Sequence, residues 1–263
     1  MPVERFKAVV LQRYETQNTS EMIHVVSDRF GPLSLWAKGI QRKSSSLKSS
    51  LLQPLHVVEI QATLHDDSDV ATLREVDALQ DAGALQKDLT AFSLACLFGE
   101  MVSFSAVSGQ AIEHEFNLLL SLFNQLRSPS WKTDPQYIIW ELCQLLECFG
   151  YLPIFSDRLN APWPPGAPKP LCFMLHLETA IIDLPPAEHP KTIKWPLIPE
   201  ANSRTCLLPP TAVRTLYLLN KGADEPPSMS LPEARQIIFA LARFVEFHLD
   251  SRLKSLSFFT GLA

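Results

Sequence analysis

Residues 56–65 read HVVEIQATLH, a short segment in which apolar and polar side chains alternate after Val57. Four further short segments precede or follow it, and several of these five segments show such alternation: residues 6–13 (FKAVVLQR), 21–27 (EMIHVVS), 33–38 (LSLWAK) and 71–78 (ATLREVDA). Turn-forming residues separate them, and alternation with a period of two is typical of strands that bury one face. Five strands in about 75 residues predict a small closed barrel at residues 1–80. The OB-fold is the main candidate, although an SH3-like barrel would give much the same pattern.

After Gln80 the spacing of apolar residues becomes helical. Asp134 and Pro135 are expected to be the N-cap and first residue of one helix, and a short helix is expected at residues 210–219. The last helix opens with a capping box, in which Ser230 is followed three residues later by Glu233. Residues 81–152 and 207–263 are therefore expected to form the two parts of one helical domain.

The segment between these two parts, residues 153–206, is rich in proline and has no periodic pattern. It still contains large apolar residues such as Trp163 and Trp195, which disordered linkers usually lack. We expect an ordered but irregular lobe. The predicted fold class is α+β: an N-terminal OB-like barrel, then a helical domain with this irregular, proline-rich lobe inserted in it.

Composition points to a globular protein of 263 residues, with 46% hydrophobic and 19% charged residues. No apolar run approaches the roughly 20 residues that span a bilayer, and the first residues lack a signal-peptide pattern. Five cysteines without paired spacing do not suggest a disulfide framework. These features predict a cytoplasmic protein without a membrane partner.

The net charge of −5 is unevenly distributed along the chain. Residues 81–150 hold eight acids and only three bases, whereas no acid occurs from residue 30 to residue 58. Five bases lie in or beside this acid-free stretch: Arg29, Lys38, Arg42, Lys43 and Lys48. Because screening limits electrostatic contacts to about 10 Å, the local charge matters more to a polyanion than the total does.

This basic stretch has the residue types that bind nucleic acid. Lysine and arginine neutralise phosphates, and exposed aromatic rings add platforms on which unpaired bases stack. Trp36, Phe30 and Tyr14 are the base-stacking candidates. Composition alone favours the alternative of a solvated loop, with Phe6 and Trp36 filling the barrel.

Two motifs add a resemblance to this pattern. The segment AKGIQRK at residues 37–43 and the segment FVEFHLDSRLKSL at residues 244–256 resemble, in this order, the RecO family of bacterial recombination mediators. In that family the first motif follows the third strand and its bases contact DNA. The resemblance assigns DNA contacts to Lys38 and Arg42, with Lys43 adjacent and Gly39 as the flexible residue after the strand. Arg5, Lys7 and Arg13 are weaker candidates from the first strand.

The resemblance also implies a function without bond chemistry. A RecO-like protein would bind single- and double-stranded DNA, anneal strands coated by single-strand-binding protein and, with RecR, help to load the RecA recombinase. The helical region would accept the acidic, apolar C-terminal tail of single-strand-binding protein. The bases that could pair with such a tail are Arg235, Arg243, Arg252 and Lys254, and the C-terminal motif is expected to be an apolar helix followed by a short basic tail. His248 is expected to be buried in the helical core.

The sequence departs from many RecO relatives in the lobe, where they carry cysteine pairs with zinc-finger spacing. Here the lobe holds only Cys172 and Cys206, without any Cys-x-x-Cys motif. His176 and His189 are nearby, but four scattered ligands make a poor zinc site. We expect no structural zinc and no cofactor.

No catalytic motif is apparent, so an enzyme is not expected. Residues 65–69 (HDDSD) could suggest a metal-dependent nuclease, but a polar hairpin turn accounts for them better. A non-catalytic adaptor with an OB barrel that binds protein or RNA remains the other alternative.

Overall fold

The computed structural model describes residues 2–16, 19–42, 47–65, 68–156, 172–184 and 203–261. The chain divides into two compact units, Met1–Arg127 and Ser128–Ala263. The boundary expected at residue 80 falls inside the first unit, which contains the barrel together with three helices.

Five strands form a closed barrel in the first unit, which confirms the predicted OB-like fold. They are β1 (Val3–Glu15), β2 (Glu21–Ser27), β3 (Gly31–Ala37), β4 (Val57–His65) and β5 (Ser68–Gln80). Around the barrel their order is β1-β2-β3-β5-β4, and β4 pairs with β1 to close it. The β3–β5 pair is parallel, and the other neighbours are antiparallel.

The alternating pattern of the strands fills the barrel. Alternate side chains point inward and form one apolar core. Its members include Phe6, Ala8, Val10, Ile23, Val25, Leu35, Val58, Ile60 and Leu73. A bulge in β1 between Val10 and Gln12 shifts the alternation by one residue, so that Arg13 pairs with the inward-facing Ile23 and Tyr14 faces outward.

Helices cover part of the barrel's outer surface. They are α1 (Gly83–Gln86), α2 (Leu89–Ser105) and α3 (Glu113–Arg127), and α2 packs against β1, β2 and β3. Asp88 caps α2 by accepting bonds from the backbone N–H groups of Thr90 and Ala91. The approach is close at Gly99, where an added Cβ would lie 2.8 Å from Leu11 Cδ2. This packing is why the first helices belong to the barrel's unit.

The second unit contains α4 (Gln136–Cys148), α5 (Pro210–Asn220), α6 (Leu231–Leu249) and α7 (Lys254–Gly261). The capping box of Ser230 and Glu233 is confirmed at the start of α6. The predicted start of α4 was one residue early, because Pro135 is the N-cap and Gln136 the first helical residue. Asp134 instead accepts hydrogen bonds from side chains, those of Thr133 and Gln136.

A small sheet lies in the segment that was expected to be irregular. Its strands are β6 (Ile154–Phe155), β7 (Phe173–His176), β8 (Ile181–Asp183) and β9 (Thr205–Leu208), in the order β6-β8-β7-β9. Strands of two to four residues are too short to show a period of two, which explains why the pattern gave no signal. Trp163, His189 and Trp195 lie outside the described residues.

The C-terminal motif differs from the expected apolar helix with a basic tail. Helix α6 ends at Leu249, and Asp250 adopts a left-handed conformation with φ 48°. The chain then reverses into α7, whose side chains Leu256 and Phe259 are buried. Residues Lys254–Gly261 are therefore helical, and they pack through an apolar face.

None of the helices in the described ranges is long and apolar enough to cross a bilayer.

Candidate nucleic-acid interface

A strip of outward-facing side chains crosses four strands near one end of the barrel. Tyr14 pairs with Met22, Met22 with Trp36, and Trp36 with Thr72. We call these four residues the outer strip. Tyr14 is 45% exposed and Trp36 is partly exposed, so neither belongs to the core. The expectation that Trp36 fills the barrel was wrong, because its neighbours Leu35 and Ala37 take the inward positions.

A polar row runs beside the outer strip. His24 Nδ1 lies 3.0 Å from Ser34 Oγ, and the Tyr14 ring meets the His24 ring edge-on at 5.2 Å. The Tyr14 hydroxyl donates to Oε1 of Gln12. Burial lowers the pKa of His24 below its ordinary value of 6.5, so the ring is neutral at neutral pH. The row therefore offers uncharged polar groups beside aromatic surface.

The chain leaves β3 through the motif that the sequence predicted to contact DNA. We call residues 38–42 the basic turn. Gly39 has φ 67°, a conformation that glycine adopts without strain, and the N–H of Arg42 donates to the carbonyl of Gly39 at 3.0 Å. Lys38 and Arg42 are both exposed. Lys38 lies two residues beyond Trp36, so a cation follows directly on the aromatic surface.

Hydrogen bonds fix the basic turn to the loop between β1 and β2. The Gly39 N–H donates to Ser20 Oγ at 3.1 Å, and the Gln41 N–H donates to the carbonyl of Thr19 at 3.1 Å. Arg42 Nε donates to Thr19 Oγ1, also at 3.1 Å. Sequence reasoning missed Thr19 and Ser20, because only the pairing of the strands brings that loop beside the turn.

Arg13 is engaged within the barrel and does not extend the basic surface. Its Nε and one terminal nitrogen donate to Glu21 Oε2 at 3.0 and 2.7 Å, and the same nitrogen donates to Ser49 Oγ at 2.8 Å. The Glu21 side chain is only 4% exposed and also accepts from Gln41 Nε2 at 3.2 Å. This network joins two strands, the basic turn and the short 3-10 helix Ser49–Leu52.

The other first-strand candidates lie among acids. Arg5 pairs with Glu59 at 2.6 Å and approaches Asp77 at 3.5 Å. Lys7 stands opposite Glu59 across the β1–β4 pair, and its backbone N–H donates to Asp28. These acids offset the positive charges of Arg5 and Lys7, so this face should bind phosphate more weakly than the basic turn does.

The end of the barrel that carries Arg29 and Phe30 is separate from the outer strip. Arg29 pairs with Glu4 at 2.8 Å and lies over the Phe30 ring. Phe30 packs edge-on against the core residue Phe6, with the centroids 5.2 Å apart. It is six residues from Trp36, or about 20 Å along an extended strand. Phe30 therefore does not join the other two stacking candidates.

Two predicted bases remain beyond the basic turn. Lys48 is exposed at the start of the 3-10 helix and forms no ion pair with a described residue. Lys43 lies outside the described residues. Lys38, Arg42 and Lys48 thus form the described part of the acid-free basic stretch.

The candidate tail-binding bases of the second unit have different surroundings. Arg243 pairs with Glu246 at 2.6 Å, and Arg235 is partly buried. Arg252 and Lys254 are exposed where the chain enters α7.

His248 was expected to be buried in the helical core. That expectation was wrong, because His248 is exposed. Its ring lies near the rings of Phe244, Phe247 and Tyr151, with centroids at 4.4, 5.7 and 6.3 Å.

The described residues contain no group of three side chains that could hold a metal ion. Cys172 and Cys206 are buried free thiols, and burial raises the pKa of Cys206 to about 12. His65 Nε2 lies 3.0 Å from Thr72 Oγ1, next to the outer strip. Asp66 and Asp67 of the nuclease alternative lie outside the described residues.

Residues 1–81 match the family described as "Recombination protein O N terminal". The matched residues contain the whole barrel, the outer strip and the basic turn. The resemblance to the RecO family is confirmed.

Individual RecO proteins align with a larger part of the chain. The chain is 26% identical over 156 residues to the DNA repair protein RecO of Limosilactobacillus fermentum, covering 58% of this chain and 55% of that relative. It is 25% identical over 179 residues to the RecO of Heliobacterium modesticaldum, covering 64% and 63%. It is 28% identical over 120 residues to the RecO of Desulforudis audaxviator, covering 46% and 47%. Each match spans less than two thirds of the RecO relative's own length.

Proposed function

We propose that this protein acts in DNA repair as a non-catalytic recombination mediator, binding single- and double-stranded DNA through its barrel. The observation that carries the proposal is the position of Trp36 and Tyr14 on the outer strip, directly beside the exposed bases of the basic turn. In OB-folds the outer face of the second and third strands is the usual surface for oligonucleotides. The RecO relatives are named DNA repair proteins, which supports the part of the proposal that places this protein in DNA repair.

The two parts of the interface would contribute different energies. Lys38, Arg42 and Lys48 would neutralise phosphates and release counterions, giving affinity that falls with salt and does not depend on sequence. Trp36 and Tyr14 would stack on unpaired bases, worth about 1–3 kcal/mol for each base. Stacking needs exposed faces of nucleobases, so the outer strip favours single strands. The lysine and arginine side chains alone could hold a duplex.

Strand annealing follows from the same surface. Neutralising phosphates lowers the repulsion that opposes pairing of two strands. We propose that the protein anneals strands coated by single-strand-binding protein and assists RecR in loading RecA. These steps involve no bond chemistry, so the role needs no catalytic residue.

For the tail of single-strand-binding protein we propose the surface around His248. Exposed Phe247 and His248 would meet the apolar residues of the tail, and Arg252 and Lys254 would meet its acids. Arg243 is a weaker candidate because Glu246 already pairs with it. Binding of a tail peptide to Arg252→Glu/Lys254→Glu tests this surface, and unchanged affinity would remove it.

The main test compares annealing by the wild type and by Lys38→Glu/Arg42→Glu over a salt series, with complementary oligonucleotides coated by single-strand-binding protein. Lys87→Glu/Lys132→Glu is the matched control, since it makes the same change in net charge outside the interface. We expect the barrel variant to lose annealing and DNA binding, and the control to keep both. A wild type that neither binds DNA nor anneals at low salt would overturn the proposal and favour an adaptor for protein or RNA.

A further inference from the structure

A second candidate surface for nucleic acid lies on helix α5 of the second unit. Arg214, Tyr217 and Lys221 are all exposed. They are spaced three and four residues apart, which places them on one face of the helix. We propose that this face, which we call the α5 stripe, binds a single nucleic-acid strand.

Helix α5 packs against the rest of its unit through the side opposite the α5 stripe, so the stripe takes no part in that packing. Ala212, Thr215 and Leu216 are buried, and the helix packs against α4 and α6. Thr211 Oγ1 also donates to Glu233 Oε1 at 3.2 Å, which fixes the first turn to the start of α6. Substitutions on the stripe therefore remove no core contact.

The charge of the stripe suits a polyanion. Helix α5 contains no acid, and neither Arg214 nor Lys221 forms an ion pair with a described residue. The nearest acids in sequence, Asp224 and Glu225, lie in the exposed segment beyond Gly222, where the helix has ended. The two bases are about 10 Å apart along the helix axis at 1.5 Å per residue.

An aromatic ring lies between the two bases. Tyr217 is 54% exposed, and Lys221 Nζ lies 5.7 Å from the centroid of its ring. A cation, an aromatic face and a second cation in this order suit a phosphate, a stacked nucleobase and a later phosphate of an unpaired strand. A duplex would present phosphates to Arg214 and Lys221 and would leave the ring of Tyr217 without a nucleobase to stack on.

The inference rests on the proposed function in one respect, that the bound strand is one of a pair to be annealed. The barrel interface and the α5 stripe belong to different compact units, so one chain would carry two separate strand sites. Two strands held by one protein would be brought together at high local concentration. This would make annealing faster than charge neutralisation at the barrel alone.

The test uses the full chain and a short labelled oligothymidylate, with binding followed by anisotropy over a salt series. We expect Arg214→Glu/Lys221→Glu to lower the stoichiometry from two strands per chain to one. Losing two single-strand phosphate contacts should reduce the slope of log affinity against log salt by about 1.4 at the affected site. Tyr217→Ala should weaken that site roughly tenfold, whereas Tyr217→Phe should keep it.

Controls separate this inference from the proposed function. Lys38→Glu/Arg42→Glu should remove the barrel site and leave the α5 site, and Lys87→Glu/Lys132→Glu should leave both. If the α5 variant binds two strands like this last control, the α5 site is wrong and the barrel proposal stands. Equal losses for Tyr217→Ala and Tyr217→Phe would contradict stacking. Saturation of the stripe by an acidic peptide that does not compete with oligothymidylate would assign it to a protein partner and overturn the inference.

Discussion

Arg13 and Glu21 form an ion pair that links β1 to β2, with two donors of the guanidinium directed at one carboxylate oxygen. The side chains are 21% and 4% exposed. Removing one partner would leave a charge in a poorly hydrated place, which costs several kcal/mol. We expect Glu21→Ala to lower the free energy of unfolding by about 3 kcal/mol, measured by urea denaturation.

An exposed pair on the same barrel supplies the control for that prediction. Arg5 and Glu59 are 63% and 31% exposed, so Glu59→Ala should cost less than about 1 kcal/mol. A double-mutant cycle on Arg13 and Glu21 would isolate their coupling. Equal effects of Glu21→Ala and Glu59→Ala would contradict the importance of burial.

Trp36 should act on binding more than on stability. Because its side chain lies on the outer strip, we expect Trp36→Ala to weaken oligothymidylate binding by about 1–3 kcal/mol while the unfolding midpoint changes little. Trp36→Phe should keep most of the affinity and lose the tryptophan quenching that DNA produces. Trp131 and Trp140 are buried and should not respond. A core role would instead show as a large loss of stability in Trp36→Ala.

Gly39 should be needed for the shape of the basic turn. At φ 67° an alanine is strained, and its Cβ would lie 3.3 Å from Arg42 Cδ. We expect Gly39→Ala to cost about 1 kcal/mol of stability and to weaken DNA binding by displacing Arg42. Gly109→Ala is the comparison, since Gly109 has φ 81° but no atom within 4 Å of the added Cβ. It should lose stability alone, and a parallel loss of DNA affinity there would refute the role of the turn.

His24 should contribute to the acid sensitivity of the barrel. Its pKa is lowered in the folded state by burial, so between that value and 6.5 the unfolded chain binds more protons. The contribution is complete above about pH 6.5 and is lost as the pH falls through the folded-state pKa. We expect the urea midpoint of His24→Gln to fall less than that of the wild type between about pH 7.5 and about pH 5. Identical falls for the two proteins would show that His24 does not contribute.

The cysteines should differ sharply in reactivity. Burial raises the pKa of Cys96, Cys143 and Cys206 to about 12, whereas Cys148 is exposed. Since the thiolate is the reactive form, iodoacetamide at about pH 8 should modify Cys148 first. Mass spectrometry of Cys148→Ser should show little labelling until the protein is unfolded. Rapid labelling of Cys143 in the folded protein would argue against its burial.

The strands could be predicted because alternation is a local property. The pattern placed all five barrel strands within a few residues of their observed ends, and the helical period did the same for α5. Contacts between residues far apart in the sequence could not be predicted from such a local pattern. Arg5 meets Glu59 only because β1 pairs with β4 across more than fifty residues of chain.

The site depends on a feature that alternation cannot show. In an unbroken β1, Arg13 would share the outer face with Arg5 and Lys7, which is why it was predicted to contact DNA. The bulge between Val10 and Gln12 reverses the last residues of the strand. It turns Arg13 inward to Glu21 and brings Tyr14 out onto the face that carries Trp36, with Met22 between the two rings. The place of Tyr14 in the outer strip is therefore a consequence of one inserted residue.

Closure of the barrel has a consequence for how this unit can evolve. Every one of the five barrel strands has a neighbour on both sides for at least part of its length, and the shortest pairing, between β3 and β5, covers three residues. Little backbone edge is therefore open to a ligand or to another chain. Recognition is then encoded mainly in side chains and loops, whose replacement leaves the hydrogen-bonded frame intact. Ligand preference can drift by single substitutions on the outer face while the fold stays constant, and the same closure protects the unit against edge-to-edge aggregation.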